Sequence, residues 1–123
     1  MSTATKTLNM NDLTQFTGSE NWYRHPINPT VLYTDGAKYI AEHAGAYWLL
    51  DEIALIQRYN KRVEAEEFQV WKLAVNADQS GVLTCEDGND NAICTKQIDY
   101  TDFPASGITL YFTNNTILLP GEY

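Results

Sequence analysis

The chain has 123 residues, of which 44% are apolar in the broad sense, 12% aromatic and 20% charged, a composition that supports one compact core and argues against a disordered tail or a second domain. Folding at this length hides roughly two thirds of the surface an unfolded chain exposes, so neither a disulfide framework nor a structural metal is needed. Eight Lys and Arg against sixteen Asp and Glu leave a net charge of -8, and a surface of that sign repels phosphate, so direct nucleic-acid binding is not expected.

Taken in chain order, residues 1–8 are small and polar and are expected to be disordered. They contain no apolar run of the kind that opens a secretory signal or an anchor, and the cytoplasm is the expected compartment. Asn11–Phe16 suits one or two helical turns ended by Gly18. Trp22-Tyr-Arg-His-Pro26 and Asn28-Pro29 must be extended, because each proline pushes its predecessor out of the helical region. Thr30–Thr34 continues as a short strand or extended segment, and Asp35-Gly36 offers a side-chain acceptor at a helix start.

Residues 36–61 are predicted to form the main helix, rich in Ala, Leu, Glu and Ile, with Arg58, Lys61 and Arg62 near its end where cations suit the helix dipole. Gly45 leaves open whether this is one helix or two. Tyr47, Trp48, Leu49, Leu50, Ile53, Leu55 and Ile56 go most of the way round the cylinder, so it should be covered on more than one side. A sheet is expected on one flank, and the N-terminal aromatic segment or a second protomer on the other. Asp51 and Glu52 interrupt the stretch, which falls short of the roughly 20 apolar residues a spanning helix needs. No membrane partner is expected.

The period then changes from helical to alternating. Phe68–Val75, Val82–Glu86, Ile93–Ile98, Ile108–Thr113 and Thr116–Leu119 read as strands, separated by turn residues such as Asp78-Gln-Ser-Gly81 and Asn114-Asn115. The expected fold is therefore a single α+β domain over residues 1–123, its main helix packed on a mainly antiparallel sheet of about five strands.

Charge divides along the same boundary. Residues 1–62 hold six bases and six acids, whereas residues 63–123 hold Lys72 and Lys96 against ten acids. Solubility is the plain reading of that surplus; the sharper ones are a surface that meets a basic protein partner or one that imitates a nucleic acid.

Cys85 and Cys94 come into register if Asn89-Asp90 forms the loop between their strands. They would then be directly opposed, at a pair where side chains approach closely. A disulfide is geometrically conceivable, but a reducing cytoplasm keeps the thiols reduced. Two cysteines with no nearby His do not make a zinc set, and Asp87-Gly-Asn-Asp-Asn91 lacks the glycine and glutamate a calcium loop requires, with Ala92 and Ile98 at those positions. No metal and no cofactor is therefore assigned.

His43 lies one helical turn from both Tyr39 and Tyr47, a spacing that puts the three on one face of a continuous helix. His25 stands in the extended segment with Trp22 and Arg24. Histidines of this kind suit acid-base chemistry or a ligand pocket, but a packed lid for His25 and a hydrogen-bonded helix residue for His43 are the favoured readings. Adjacent Asp51 and Glu52 point about 100° apart on a helix, so one carboxylate approaches the core and demands a partner such as Arg24. The candidate binding residues are thus Trp22, Arg24, His25, Tyr39, His43, Tyr47 and Asp51. No residue is singled out as catalytic, because no nucleophile elbow or phosphate loop is present.

Trp22-Tyr-Arg-His-Pro26, Tyr33-Thr-Asp-Gly-Ala-Lys-Tyr39 and Ala44-Gly-Ala-Tyr-Trp-Leu-Leu-Asp-Glu-Ile53 resemble a family of small uncharacterised bacterial proteins, a domain of unknown function, over most of the chain. The resemblance implies a stand-alone prokaryotic protein of bacterial, phage or plasmid origin and carries over no activity, cofactor or catalytic residue. The leading expectation is a non-catalytic acidic interaction protein that forms a homodimer. The alternative is a small enzyme or ligand-binding domain with a pocket between residues 22–26 and the main helix.

Overall fold

The computed structural model describes residues 21–123; the disordered segment expected at residues 1–8 and the helical turns expected at 11–16 lie outside the described residues. Strands β1 (Trp22–Arg24) and β2 (Leu32–Thr34) lead into helices α1 (Asp35–His43), α2 (Tyr47–Tyr59) and α3 (Lys61–Glu64). Strands β3 (Phe68–Val75), β4 (Gly81–Glu86), β5 (Ala92–Ile98), β6 (Ile108–Thr113) and β7 (Thr116–Leu118) follow, and a 3-10 turn, Pro120–Glu122, closes the chain.

This corrects the expected architecture in two ways. The sheet has seven strands rather than five, in the order β1-β2-β7-β6-β3-β4-β5. It is mixed, because β2 runs parallel to β7 with Leu32 opposite Thr116 and Tyr33 opposite Ile117. Strands β1 and β2 are three residues long, too short for alternation to reveal. The region read as the main helix over residues 36–61, with a break at Gly45 left open, is three short helices. Gly45 takes φ +62°, a left-handed conformation that ends a helix, and the Ala46 N–H closes that end on the Ala41 carbonyl at 2.8 Å. Asn60 is extended, and its side-chain oxygen accepts from the N–H groups of Arg62 and Val63, starting α3 afresh.

The α1 start also differs from expectation. Thr34, not Asp35, caps the helix, its Oγ1 accepting from the Ala37 N–H at 3.2 Å. The carboxylate of Glu122 joins it, accepting from the Thr34 hydroxyl at 2.7 Å, the Gly36 N–H at 3.1 Å and the Leu119 N–H at 2.9 Å. An anion is thereby held where the helix dipole favours it. Gly36 permits the approach, since a Cβ there would lie 2.5 Å from Glu122 Oε1.

The core lies between the helices and one face of the sheet. Gln69, Trp71 and Leu73 of β3, Leu83 and Cys85 of β4, and Ile108, Leu110 and Phe112 of β6 alternate into it, meeting Ile40, Leu49, Leu50 and Ile53. Gln69 is the polar exception and is fully buried. Its amide exchanges two hydrogen bonds with that of Gln57, donates to the carbonyls of Val63 and Glu66, and accepts from the Trp71 indole N–H at 2.9 Å. One side chain thus ties α2 and α3 to β3 and satisfies the polar groups it buries.

Among the described residues, no helix lies on the opposite face of the sheet. Phe68, Tyr111 and Tyr123 pack there ring against ring, with centroids 4.9–5.8 Å apart. Asn114 and Asn115 supply the positive φ values of the tight β6–β7 turn, as asparagine can.

Candidate functional site

The proline-flanked segment between β1 and β2 is fastened to α2 through His25. Only 1% of this residue is exposed. Its Nδ1 accepts from the backbone N–H groups of Ile27 at 3.2 Å and Asn28 at 3.0 Å. A nitrogen that accepts carries no proton, so the ring proton sits on Nε2, which donates to Asp51 Oδ1 at 2.8 Å. Asn28 adds a second tie, donating from its amide to the Ala54 carbonyl at 2.8 Å while accepting from the Thr30 hydroxyl. The pair has the residue types of a catalytic dyad, but a general base needs an accepting nitrogen turned toward substrate. Both ring nitrogens here are spent on the fold, and the pair acts as a latch.

The other candidate residues are distributed differently from a single pocket. Tyr39 and His43 do stack, with centroids 3.8 Å apart and planes 19° apart, and His43 Nδ1 lies 3.0 Å from the Tyr39 carbonyl. His43 is exposed, whereas Tyr39 is half-buried and packs against the core. Tyr47 belongs to α2, because Gly45 ends α1 before it. Burial, with help from Glu42, raises the Tyr47 hydroxyl pKa above its usual value. Arg24 is exposed and donates to the Pro29 carbonyl at 3.2 Å rather than to Asp51. Glu52 pairs with Lys96 of β5 at 2.6 Å. Trp22 is 55% exposed and lines a shallow cavity of about 370 Å³ with Thr116, Leu118 and Tyr123.

A polar concavity lies elsewhere. A cavity of about 590 Å³ opens between the segment at Asn28–Val31, the ends of α2 and α3, and the β6–β7 turn. Glu64, Glu66 and Glu67 wall it together with Arg58, Asn114 and Asn115. The fold gathers further carboxylates at this end of the sheet. Val70 near the start of β3 is opposite Glu86 at the close of β4, and Asp87 and Asp90 follow in the turn. The turn is organised by Asp87, whose carboxylate accepts from the N–H groups of Asn89 and Asn91 at 2.8 and 3.0 Å. Those bonds, Asn91's first among them, lower its pKa below the usual carboxylate value. Glu86 is compensated by Lys72, whose ammonium lies 3.0 Å from Oε1 in an ion pair. Sequence reasoning located the surplus charge in the second half but not its convergence. The run Glu64-Ala-Glu-Glu67 was the available signal, and the β3–β4 register that brings it beside residues 86–90 is a tertiary fact.

The remaining acids lie elsewhere. The backbone N–H of Thr101 donates to the Gln79 carbonyl at 2.7 Å, which brings the loop of Asp99 and Asp102 to the β3–β4 turn of Asp78, at the opposite end of the sheet. Glu122 caps α1. Cys85 and Cys94 are free and directly opposed on β4 and β5 as the register predicts, although a bulge after Cys85 pairs Glu86 with Ala92. Burial pushes the Cys85 thiol pKa up to about 12.

Among the described residues no group of three His, Cys, Asp or Glu side chains is placed to hold a metal ion, and no helix is long and apolar enough to cross a membrane. No curated protein and no solved structure matches the chain. Over residues 7–123 it matches the model of a family of unknown function, DUF6876, and with nearly its whole length covered, including the latch, the polar cavity and the opposed thiols, the chain belongs to that family.

Proposed function

We propose that this chain is a non-catalytic interaction protein that receives a basic segment of a partner protein at its acidic end. The observation that carries the reading is the convergence of Glu64, Glu66 and Glu67 on one polar cavity, with Arg58 as the cation in its wall. Glu86, Asp87 and Asp90 lie at the same end of the sheet. A concave, carboxylate-rich wall steers and holds a lysine- or arginine-rich segment, with a strength that falls as salt screens it. The test is a fluorescence-anisotropy titration of a labelled lysine-rich peptide. Saturable binding is expected, weakened about tenfold in E64Q/E66Q/E67Q and unchanged in D78N/D99N at the opposite end. Absence of saturation at low salt, or equal loss in both variants, overturns the reading.

A second copy of the chain is the proposed occupant of the open sheet face. Charge supports this: the charged strand residues on that face are Arg24, Lys72 and Glu86, the last two already paired. In a protein of net charge -8, two copies can meet there without opposing their carboxylates. The Phe68, Tyr111 and Tyr123 cluster supplies apolar area. Light scattering should give a dimer at micromolar concentration and a monomer for A74E, whose exposed position lies on this face. A monomeric wild type refutes the pairing. The pocket reading based on residues 22–26 and the helices has less support, because the latch engages both nitrogens of His25.

A further inference from the structure

Cys85 and Cys94 are Cα partners in the β4–β5 ladder. Directly opposed residues of antiparallel strands point to the same face with Cα atoms about 4.5–5.5 Å apart, inside the span a disulfide bridges. Both are free thiols. Cys85 is wholly buried, whereas Cys94 is half-buried on β5, an edge strand. The pair forms the last regular rung before the bulge that separates it from Glu86, and the turn carrying Asp87 and Asp90 lies beyond.

We propose that Cys85 and Cys94 are a redox modification site, closing under peroxide to a reversible cross-strand disulfide that clamps the edge strand and the acidic turn to the sheet. The accessible thiol reacts first. Cys94 Sγ takes one oxygen from hydrogen peroxide, releasing water and becoming a sulfenic acid. Cys85 Sγ then attacks that sulfur, forming the S–S bond while the sulfenic oxygen leaves as water with the Cys85 proton. Two thiols and one peroxide become one disulfide and two waters. A dithiol reductant reverses the step by exchange. Burial of Cys85 makes the second step the slow one, since the thiolate is the attacking form. The inference does not rest on the binding reading above, because its test reads only the sulfurs and β5.

The test uses the full reduced chain, treated with stoichiometric hydrogen peroxide and quenched with an alkylating reagent. The expected product is an unalkylated monomer lighter by two hydrogens, with a cross-linked peptide joining Cys85 to Cys94, and dithiothreitol restores both thiols. Amide exchange along β5 should slow by about tenfold in the closed form. C94S, altered at the half-buried position, should form no intramolecular bond, and C85S should leave a Cys94 sulfenic acid that dimedone traps. Two alkylatable thiols after peroxide, overoxidation of Cys94 without a cross-link, or a purely intermolecular disulfide each overturns the proposal.

Discussion

Replacing His25 by alanine separates a latch from a catalytic group. The substitution leaves the N–H groups of Ile27 and Asn28 without the acceptor they share, and of the two it is the Asn28 N–H, in a residue only 3% exposed, that water cannot readily satisfy. Each buried donor left unpaired costs about 1–3 kcal/mol, and the emptied ring volume adds roughly 1–2 kcal/mol. We expect H25A to lose about 4 kcal/mol, much of the 5–15 kcal/mol typical of a whole domain. D51N behaves differently, because the Asp51 side chain is 43% exposed and an amide oxygen still accepts from Nε2, so its loss should stay under about 1 kcal/mol. Urea unfolding followed by tryptophan fluorescence measures both. Nitrogen shifts of the His25 ring should in addition report a proton on Nε2. An H25A variant within 1 kcal/mol of wild type, or D51N costing as much as H25A, refutes the reasoning.

The buried amide of Gln69 predicts a distinctive order of stabilities. Q69L strands the Trp71 indole N–H and the Val63 carbonyl and should cost about 3 kcal/mol, while Q69E should cost more at neutral pH because it turns a buried charge toward two carbonyls; chemical denaturation that ranks Q69E above Q69L sinks the network account. At the α1 start, E122A should lose about 1–2 kcal/mol through the cap and the dipole. G36A should be less stable than wild type because its methyl meets the same carboxylate and also Leu119 Cδ1, and E122A should absorb only the carboxylate's share of that loss in the double variant. Cys85 predicts a pH effect: its folded pKa is raised from 9.0 to about 12, so the protonated thiol's contribution is fully present below pH 9 and is lost as pH rises from there through 12. At pH 10.5, the wild type should have lost about 2 kcal/mol more than C85S, relative to each protein at pH 8. Equal losses in paired urea titrations contradict it.

These cases mark where the fold was legible in the sequence. Period-two alternation revealed the long strands β3 to β6, and asparagine chemistry revealed the Asn114-Asn115 turn, because both signals are local. The opposed cysteines followed from counting along one hairpin, and survived a bulge that shifted the next pair. Helical composition was visible across residues 36–61, but Gly45 and Asn60 decided where each helix stops, through backbone conformations that side-chain periodicity does not encode. Among the candidate site residues, His25 and Asp51 were both named, yet their pairing required the β1–β2 excursion to fold back on α2.

The least legible part of the molecule is the β1–β2–β7 margin of the sheet, and the reason is physical. Strand β2 has three residues and finds its parallel partner β7 across more than eighty positions, so its stability comes from neighbours rather than from its own propensity. Those neighbours arrive at the end of the chain. Glu122 reaches Thr34 across 88 positions, Leu119 is held within the same carboxylate's reach, and the Leu32 N–H donates to the Asn115 carbonyl at 2.8 Å. The α1 start, β2 and the C-terminal turn therefore form one cooperative unit. A long-range unit of this kind closes its loop at an entropic cost before its contacts repay it. E122A should accordingly increase the unfolding rate while leaving the β3–β4–β5 meander's folding rate nearly unchanged, and a chevron analysis in which the folding arm moves instead would place the clasp early and overturn this ordering.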